Sequence, residues 1–221
     1  MPDAFLCDFD GTIAPQDIGA AIVQRFSAGR DAERRALLDR WRGETIGHRE
    51  MIEAECRLLE ADEAETLEFA RRFSIDPEFA PFTRERWARG DVVMVVSEGF
   101  DVYVRDQLAR AGLERLPWAA NRLRFEGRRV TPEFPFYDPS CGGCGNCKAQ
   151  HARGWRARGY RVILIGDGLS DRCGARAADR VLARGELLDW CRREGVAARP
   201  FESFADLGRA ARGALDPLSP V

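Results

Sequence analysis

Ala4-Phe5-Leu6-Cys7 leads without a break into Asp8-Phe9-Asp10-Gly11-Thr12. The apolar run predicts a buried strand, and two acidic residues follow at its exit. In an extended segment residues i and i+2 lie on the same side, so the carboxylates of Asp8 and Asp10 are brought together. Crowded carboxylates need a cation or a shared proton. The pair therefore favours catalysis, with one carboxylate attacking, the other moving a proton and a divalent metal holding both. The alternative is an ordinary Asp-Gly turn.

A second feature is the single lysine. The chain has 34 basic residues, and Lys148 is the only one that is not arginine. An ammonium is a compact point charge, whereas a guanidinium is a planar fork. A lone lysine among so many arginines favours a site that a guanidinium does not fit. The alternative is chance, since a rare residue must fall somewhere.

Composition narrows the class of protein. The 221 residues are 45% hydrophobic, which suits one α/β domain with an insertion or two small domains. The net charge of −2 gives no indication of a nucleic-acid partner. No apolar run approaches the roughly 18 residues of a membrane span. The start, Met1-Pro2-Asp3, lacks the features of a signal peptide, so a cytoplasmic protein with no membrane partner is expected. Four dispersed cysteines are predicted to be reduced: Cys7, Cys56, Cys173 and Cys191.

The order of elements predicts an α/β fold. Five buried strands are predicted at 4–9, 92–96, 118–120, 161–165 and 180–183, separated by helices at 102–111, 148–158, 171–178 and 187–194. Continuous apolar strands alternating with helices indicate a doubly wound, Rossmann-like parallel sheet. Residues 123–130 predict an antiparallel hairpin that turns near Gly127. The tail at 216–220 is predicted to fray.

Residues 15–75 differ from the rest. They contain no convincing strand and predict three or four helices, for example at 31–41, 48–59 and 63–73. We interpret them as a helical cap domain inserted after the first strand, with 1–14 and 76–221 forming the core domain. Such an insertion lies above the carboxyl ends of the strands, where open α/β sheets bind ligands. It can exclude water there and supply substrate contacts.

Three later segments carry further candidate residues. Ser97-Glu98-Gly99 follows the second strand, Lys148 begins a helix, and Gly166-Asp167-Gly168-Leu169-Ser170-Asp171 follows a later strand. A hydroxyl and backbone N–H groups at a strand end that opens a helix make a phosphate cradle. Each segment alone has a structural explanation as a helix N-cap, a surface charge or a turn. Their order, with three of the four motifs at strand exits, favours one shared site.

In these motifs the chain resembles the phosphatases of the haloacid dehalogenase (HAD) superfamily. The position of the insertion is similar to that of the cap in the phosphoserine phosphatase-like branch. Within that branch the chain most resembles the methionine-salvage phosphatases that act on 2-hydroxy-3-keto-5-methylthiopentenyl-1-phosphate. The cysteine-rich loop that ends at Cys147-Lys148, and residues 183–188 before Cys191, support this likeness.

The resemblance implies a role for each motif. Asp8 is expected to attack phosphorus and form an aspartyl-phosphate, while Asp10 protonates the leaving oxygen and then activates water. Mg²⁺ is expected on Asp8, the backbone carbonyl of Asp10, and Asp167. Asp171 is expected to orient Lys148 or a metal-bound water. The phosphate group is expected to lie against Thr12, Ser97, Glu98, Gly99 and Lys148, with Ser97 and Lys148 also acting in catalysis.

Two acidic residues raise questions about the substrate. Glu98 stands where the related branch usually has glycine, and a carboxylate there repels phosphate unless it points away or pairs with an arginine. Asp17 lies where phosphoserine-type enzymes carry an acidic residue that recognises the substrate. It is a candidate substrate contact, or else an acid that stabilises a helix N-terminus.

The cysteine loop has C-x₂-C-x₂-C spacing, with Cys141, Cys144 and Cys147. His151 lies four residues after Cys147 and on a helix shares its face, which would complete a Cys₃His zinc site. The spacing is also similar to that of iron–sulfur proteins, but a fourth cysteine is missing from the run. A disulfide within the loop and free thiols are the remaining alternatives. In every case the loop adjoins Lys148 and is expected to position it.

The residues together predict a Mg²⁺-dependent phosphatase of a small phosphate ester. A phosphotransferase or mutase on the same scaffold is the first alternative. The second is a binding module that responds to metal or redox state through the cysteine loop. Intact Asp8, Asp10, Lys148 and Asp167 count against the second alternative.

Overall fold

The computed structural model describes residues 1–207, so the predicted fraying at 216–220 lies outside the described residues. A seven-stranded sheet forms its centre, in the order β4-β3-β2-β1-β5-β6-β7. The strands are β1 (Asp3–Cys7), β2 (Val92–Phe100), β3 (Trp118–Glu126), β4 (Arg129–Glu133), β5 (Arg161–Gly166), β6 (Arg180–Ala183) and β7 (Arg199–Pro200). All neighbours run parallel except β3 and β4, which form the predicted hairpin. The predicted fold class is confirmed.

The central strand β1 is buried on both faces. Phe5 and Cys7 pack into one apolar cluster, whereas Leu6 packs into another on the opposite face. Successive side chains of a strand point to opposite faces, so a strand covered on both faces has no polar position in its interior. This explains the uninterrupted apolar run.

Helices cover both faces of the sheet. One face carries α5 (Phe79–Ala88) and α6 (Asp101–Arg110), and the other carries α7 (Lys148–Ala157), α8 (Arg172–Ala177) and α9 (Gly185–Glu194). A short 3₁₀ turn, Leu169–Asp171, precedes α8. The sequence pattern predicts no element over α5, because two of the four residues on its buried face are polar; the four are Phe79, Phe82, Thr83 and Arg86. That face includes Arg86, which is buried because its guanidinium lies over the rings of Phe5 and Phe82.

The insertion forms four helices between β1 and β2. They are α1 (Ile18–Phe26), α2 (Asp31–Arg42), α3 (His48–Cys56) and α4 (Glu63–Ala70). Ile18, Ile22 and Ile52 of these helices share one apolar cluster with Phe5 of the sheet. The insertion is therefore packed against the sheet rather than tethered to it. No helix within residues 1–207 combines the length and the apolarity of a membrane span.

The strand register brings the exits of three strands together. Cys7, the last residue of β1, pairs with Val95 of β2 on one side and with Ile165 of β5 on the other. The residues that follow these positions therefore reach the same edge of the sheet. Strand β2 continues to Phe100, beyond the predicted end at residue 96, with a shift in register against β3 between Val96 and Phe100.

The start of α4 generates a stability prediction. Asp62 Oδ1 accepts the N–H of Glu65 at 2.8 Å, and Glu65 Oε2 accepts the N–H of Asp62 at 3.1 Å, which is a reciprocal capping box. Asp62→Ala is expected to lower the free energy of unfolding by about 1 kcal/mol. Thermal unfolding measures the change. Glu68→Ala, an exposed position of the same helix, is the control, and an equal loss in both variants would contradict the capping assignment.

Candidate active site

A buried lysine joins two of the acidic motifs. Lys148 is the first residue of α7, and its Nζ donates to Asp8 Oδ1 at 2.5 Å and to Asp171 Oδ1. The lysine is 1% exposed. Burial alone would lower the pKa of Lys148, but Asp171 and Asp8 together raise it above its ordinary value. The ammonium therefore stays charged in the interior.

Three carboxylates surround this point. Asp8, Asp167 and Asp171 each offer an oxygen, and the three oxygens lie within 4.8 Å of one another. Burial raises the pKa of Asp8 well above its ordinary value, repulsion from Asp171 adds to the rise, and Lys148 opposes it. Burial raises the pKa of Asp167 to about 6. Repulsion from Asp171 contributes to both rises, and an oxygen-preferring divalent cation would offset that repulsion.

Asp171 differs from the other two carboxylates because its oxygens are already engaged. Oδ1 accepts Lys148, and Oδ2 accepts the N–H groups of Asp167 and Gly168, each at 3.1 Å. It is completely buried. This arrangement fits the expected orienting role of Asp171 better than direct contact with a metal.

Gly11 and Thr12 set the position of Asp167. Gly11 has φ +78°, and a Cβ at this position would overlap the carboxylate of Asp167. Thr12 Oγ1 donates to Asp167 Oδ1 at 2.5 Å. The turn buries the hydroxyl of Thr12 against Asp167, and the expected contact of Thr12 with phosphate stays a prediction.

Asp10 lies in a different environment from Asp8. Its Oδ1 accepts the N–H of Ile18 at 2.8 Å, at the start of α1, and its Oδ2 accepts the hydroxyl of Tyr103 at 2.5 Å. Burial first, and then the charge of Asp17, raise the pKa of Asp10 to about 8, while the bond from Tyr103 opposes the rise. The carboxyl of Asp10 therefore holds a proton at neutral pH and can deliver it.

Ser97 and Gly99 lie at the end of β2, beside the acidic groups. The N–H of Gly99 donates to Ser97 Oγ at 2.9 Å, so this N–H is engaged by the protein, whereas the sequence predicted it for phosphate. A Cβ on Gly99 would overlap both Tyr103 and the carboxylate of Asp10. Gly99 is therefore required for the close contact between Tyr103 and Asp10.

Glu98 is turned towards the insertion. Its Oε2 accepts the backbone N–H of Gly145 at 3.0 Å and lies 2.8 Å from His48 Nδ1. Trp41 stacks on His48 with ring centroids 4.6 Å apart. The side chain of Glu98 thus pairs with a histidine of α3 and not with an arginine, and its expected place at the phosphate stays a prediction.

Asp17 fits both of the interpretations left open by the sequence. It caps α1, where its Oδ1 accepts the N–H of Ala20 at 2.7 Å. It also lines the same cavity as Asp8 and Asp10. Burial raises its pKa above the ordinary value for aspartate.

The cavity above the carboxylates has a volume of about 300 Å³. The core supplies its floor, with Asp8, Asp10, Ser97 and Asp167, and the insertion supplies its roof. Sequence reasoning missed the lining side chains of the roof and of α6, which include Arg34, Trp41, His48, Met51, Glu55 and Tyr103. Helical periodicity located these elements but does not state which side chains turn towards a site.

The comparisons with known proteins agree with this geometry. A family model described as haloacid dehalogenase-like hydrolase matches residues 5–176. The chain belongs to the haloacid dehalogenase-like hydrolase family. Its curated relatives are named as phosphatases, so this HAD protein is a phosphoric monoester hydrolase.

Two relatives and one solved structure define the likeness. The HAD chain is 31% identical over 207 residues to a 2-hydroxy-3-keto-5-methylthiopentenyl-1-phosphate phosphatase of Brevibacillus brevis, covering 92% of each chain. It is 34% identical over 209 residues to the protein of the same name from Geobacillus kaustophilus, covering 91% of each. A phosphoserine phosphatase structure with a phospho-aspartyl intermediate analogue superposes with a TM-score of 0.71 at 19% identity, covering 94% of this chain and 98% of that one. The structural match shows the fold alone.

The cysteine loop of this HAD protein differs from the predicted set. The sulfur atoms of Cys141, Cys144 and Cys147 lie within 4.8 Å of one another, but His151 is not with them. Its Nε2 lies 2.7 Å from Asn146 Oδ1, so the prediction of His151 as the fourth ligand is wrong. The thiol of Cys173, from α8, lies beside the loop instead.

Hydrogen bonds from Cys144 and Cys173 hold the pKa of Cys147 well below its usual range. All seven cysteines are free thiols.

The environment of Asp10 predicts how kcat/KM depends on pH above neutrality. If protonated Asp10 is the acid, kcat/KM falls as pH rises through about 8, because the acid form is then lost. Tyr103→Phe removes a bond that favours the ionised form, so the fall moves to higher pH. Asp17→Asn removes a neighbouring negative charge, so the fall moves to lower pH.

Rate measurements on an aryl phosphate from pH 5 to 10 test these directions. Tyr160→Phe is a suitable control, because this tyrosine contacts Trp155 and is remote from Asp10. If the pH at which kcat/KM falls is unchanged in both Tyr103→Phe and Asp17→Asn, the role of Asp10 as the acid is contradicted.

Proposed function

We propose that the protein is a Mg²⁺-dependent phosphatase that hydrolyses a small phosphorylated metabolite through an aspartyl-phosphate on Asp8. The observation that carries this proposal is the pair of unlike carboxyl groups in one cavity. Asp8 contacts the ammonium of Lys148, which favours the ionised form and opposes the effect of burial, whereas burial and the charge of Asp17 raise the pKa of Asp10 to about 8. A nucleophile and an acid need opposite protonation states at the same pH.

Lys148 prepares the nucleophile. Its ammonium binds Asp8 Oδ1, so the other carboxylate oxygen is the one that attacks phosphorus in line with the leaving oxygen. The same ammonium offsets negative charge that spreads over the phosphoryl oxygens in the transition state. Ser97, at the neighbouring strand exit, offers its hydroxyl to a phosphoryl oxygen.

Asp10 moves the proton in both half-reactions. It first protonates the leaving oxygen of the ester, and as a carboxylate it then takes a proton from the water that attacks the aspartyl-phosphate. The N–H of Ile18 and the hydroxyl of Tyr103 hold its carboxyl group in one orientation. The acid is thereby fixed to the first helix of the insertion.

The acidic cluster fits Mg²⁺. Its donors are carboxylate oxygens with an excess negative charge, which is the chemistry of a hard divalent cation. Asp8, the backbone carbonyl of Asp10, and Asp167 would hold the ion. When bound, it neutralises charge on the phosphoryl group and on Asp8 as the two approach.

The roof of the cavity supports the methionine-salvage enol phosphate, 2-hydroxy-3-keto-5-methylthiopentenyl-1-phosphate, as the substrate. Apolar side chains from the insertion, among them Val23, Leu38, Met51 and Ile52, face the acidic floor. A methylthio-alkyl tail is apolar and matches such a wall. Glu55, whose pKa burial raises to about 7, can share a hydrogen bond with a substrate hydroxyl. The names of the relatives at 31% and 34% identity point to the same compound.

The first test is loss of the nucleophile. Asp8→Asn is expected to lower turnover of an aryl phosphate by roughly a thousandfold or more, because the attacking carboxylate is lost. Removing divalent cations with a chelator is expected to abolish turnover, and added Mg²⁺ to restore it. Asp189→Asn changes an exposed carboxylate on α9 and is the matched control. Full activity in Asp8→Asn would contradict the role of Asp8 as the nucleophile.

The second test is a panel of phosphorylated metabolites that includes the enol phosphate and phosphoserine. The enol phosphate is expected to give the highest kcat/KM. Met51→Ser is expected to raise KM for it more than for the aryl phosphate, because the variant removes apolar surface from the tail site. Transfer of labelled phosphate to an alcohol instead of water would indicate a phosphotransferase.

A further inference from the structure

Three thiols of one loop cluster together, and a fourth thiol from a separate segment lies beside two of them. Cys141, Cys144 and Cys147 come from the loop before α7, and Cys173 is the second residue of α8. Cys141 Sγ lies 3.5 Å from Cys144 Sγ and 3.7 Å from Cys173 Sγ, and Cys144 Sγ lies 3.9 Å from Cys173 Sγ. The sequence places Cys173 as a dispersed cysteine, 26 residues beyond the loop. The fold brings its thiol beside those of Cys141 and Cys144.

We propose that Cys141, Cys144, Cys147 and Cys173 bind one zinc ion as a tetrahedral Cys₄ site. With a Zn–S distance of about 2.3 Å, a tetrahedron places its sulfur atoms about 3.8 Å apart. The three separations among Cys141, Cys144 and Cys173, from 3.5 to 3.9 Å, match three of the six edges. Cys147 Sγ lies within 4.8 Å of Cys141 Sγ and Cys144 Sγ, so a modest inward shift of this one thiol would complete the tetrahedron. A disulfide requires sulfur atoms at about 2.05 Å. An iron–sulfur cluster inserts several irons and sulfides and spreads the four thiolates further apart.

The surroundings of the cluster suit thiolates. Cys147 is the N-cap of α7, and a helix N-terminus stabilises a negative sulfur. Cys144 and Cys147 are buried, and Gly142 adopts φ +74°, which lets the loop turn tightly. Soft, all-sulfur ligands in tetrahedral arrangement select zinc over the hard cations that the carboxylate site prefers. The two proposed metal sites are therefore chemically distinct.

The position of this site indicates a structural role. Cys147 immediately precedes Lys148, and Cys173 follows Asp171 by two residues, so one ion would join the backbone on both sides of the Lys148–Asp171 ion pair. The same loop donates the N–H of Gly145 to Glu98 and the amide of Asn146 to the carbonyl of Ser97, at 2.9 Å. Zinc would thus fix the loop that positions the phosphate-binding side chains, without contact with the substrate.

The loop also contacts the insertion. The carbonyl of Gly143 accepts the N–H of Arg49, near the start of α3, at 3.0 Å. A Cβ on Gly47 would lie 2.9 Å from that same carbonyl oxygen. The proposed zinc site therefore supports one edge of the roof of the cavity as well as its floor.

Metal content of the purified full chain tests the proposal. After dialysis that removes loosely held metal, about one zinc per chain is expected for the unaltered protein. Cys173→Ser is expected to lower the zinc content by about tenfold or more, since loss of a ligand exceeds the effect of an outer-shell change. His151→Gln and Cys191→Ser are the controls, and both are expected to keep zinc. Loss of zinc in His151→Gln with retention in Cys173→Ser would overturn the assignment.

Cobalt substitution of the unaltered chain keeps the test valid if Cys173→Ser does not fold. Tetrahedral Co²⁺ with four thiolates gives intense sulfur-to-metal charge-transfer absorption, whereas Co²⁺ on the carboxylates does not. The expected result is such a spectrum at one Co²⁺ per chain, abolished by added Zn²⁺. Absence of charge-transfer absorption, or purification with iron and sulfide, would refute the zinc site. Neither outcome depends on phosphatase activity.

Discussion

The structure depends on one buried ammonium group between two buried carboxylates. Lys148, Asp8 and Asp171 come from the start of α7, the exit of β1 and the turn after β5. Each charge alone would be costly to bury, and removing one partner of such a group leaves the others uncompensated. The three segments must therefore meet for any of the charges to be stable. The compact ammonium reaches both buried carboxylates, which explains why lysine stands here in a chain that otherwise uses arginine.

The same motif holds two aspartates in unlike environments. Asp8 faces Lys148, whereas Asp10 faces the N-terminus of α1 and the hydroxyl of Tyr103. Asp8 and Asp10 both follow the end of β1 and are two residues apart. The turn at Gly11 and the insertion that follows it direct Asp10 towards the roof of the cavity. The proposed division into nucleophile and acid arises from this divergence. In the proposed mechanism, the insertion thus contributes to the chemistry as well as to substrate contact.

Glu98 connects the core, the insertion and the cysteine loop. It stands in β2, pairs with His48 of α3 and accepts a hydrogen bond from Gly145. Glu98 also lines the cavity that contains Asp8 and Ser97. The loop and the insertion therefore meet on a side chain that neighbours the proposed phosphate-binding residue Ser97.

The sequence alone determined the sheet and the order of the motifs, because both are local properties. A strand buried on both faces needs a continuous apolar run, and an acidic pair at its exit is visible without any contact being known. The sequence also identified Lys148 by its rarity. The predicted strand ends, by contrast, were short for β2 and β3, because polar residues such as Ser97 and Glu98 continue the ladder there.

Only the tertiary structure decided which side chains meet across long separations. His151 shares a helix with the cysteine loop and was the reasonable fourth ligand by spacing, yet its ring turns to Asn146 while Cys173 approaches from α8. Thr12 and Glu98 were assigned to phosphate by their place in a motif, but their hydrogen bonds go to Asp167 and to Gly145, with His48 beside Glu98. Tyr103 carries no sequence signal beyond its helix. The physical reason is that spacing fixes direction only within one element, whereas packing between elements fixes which atoms come within hydrogen-bond distance.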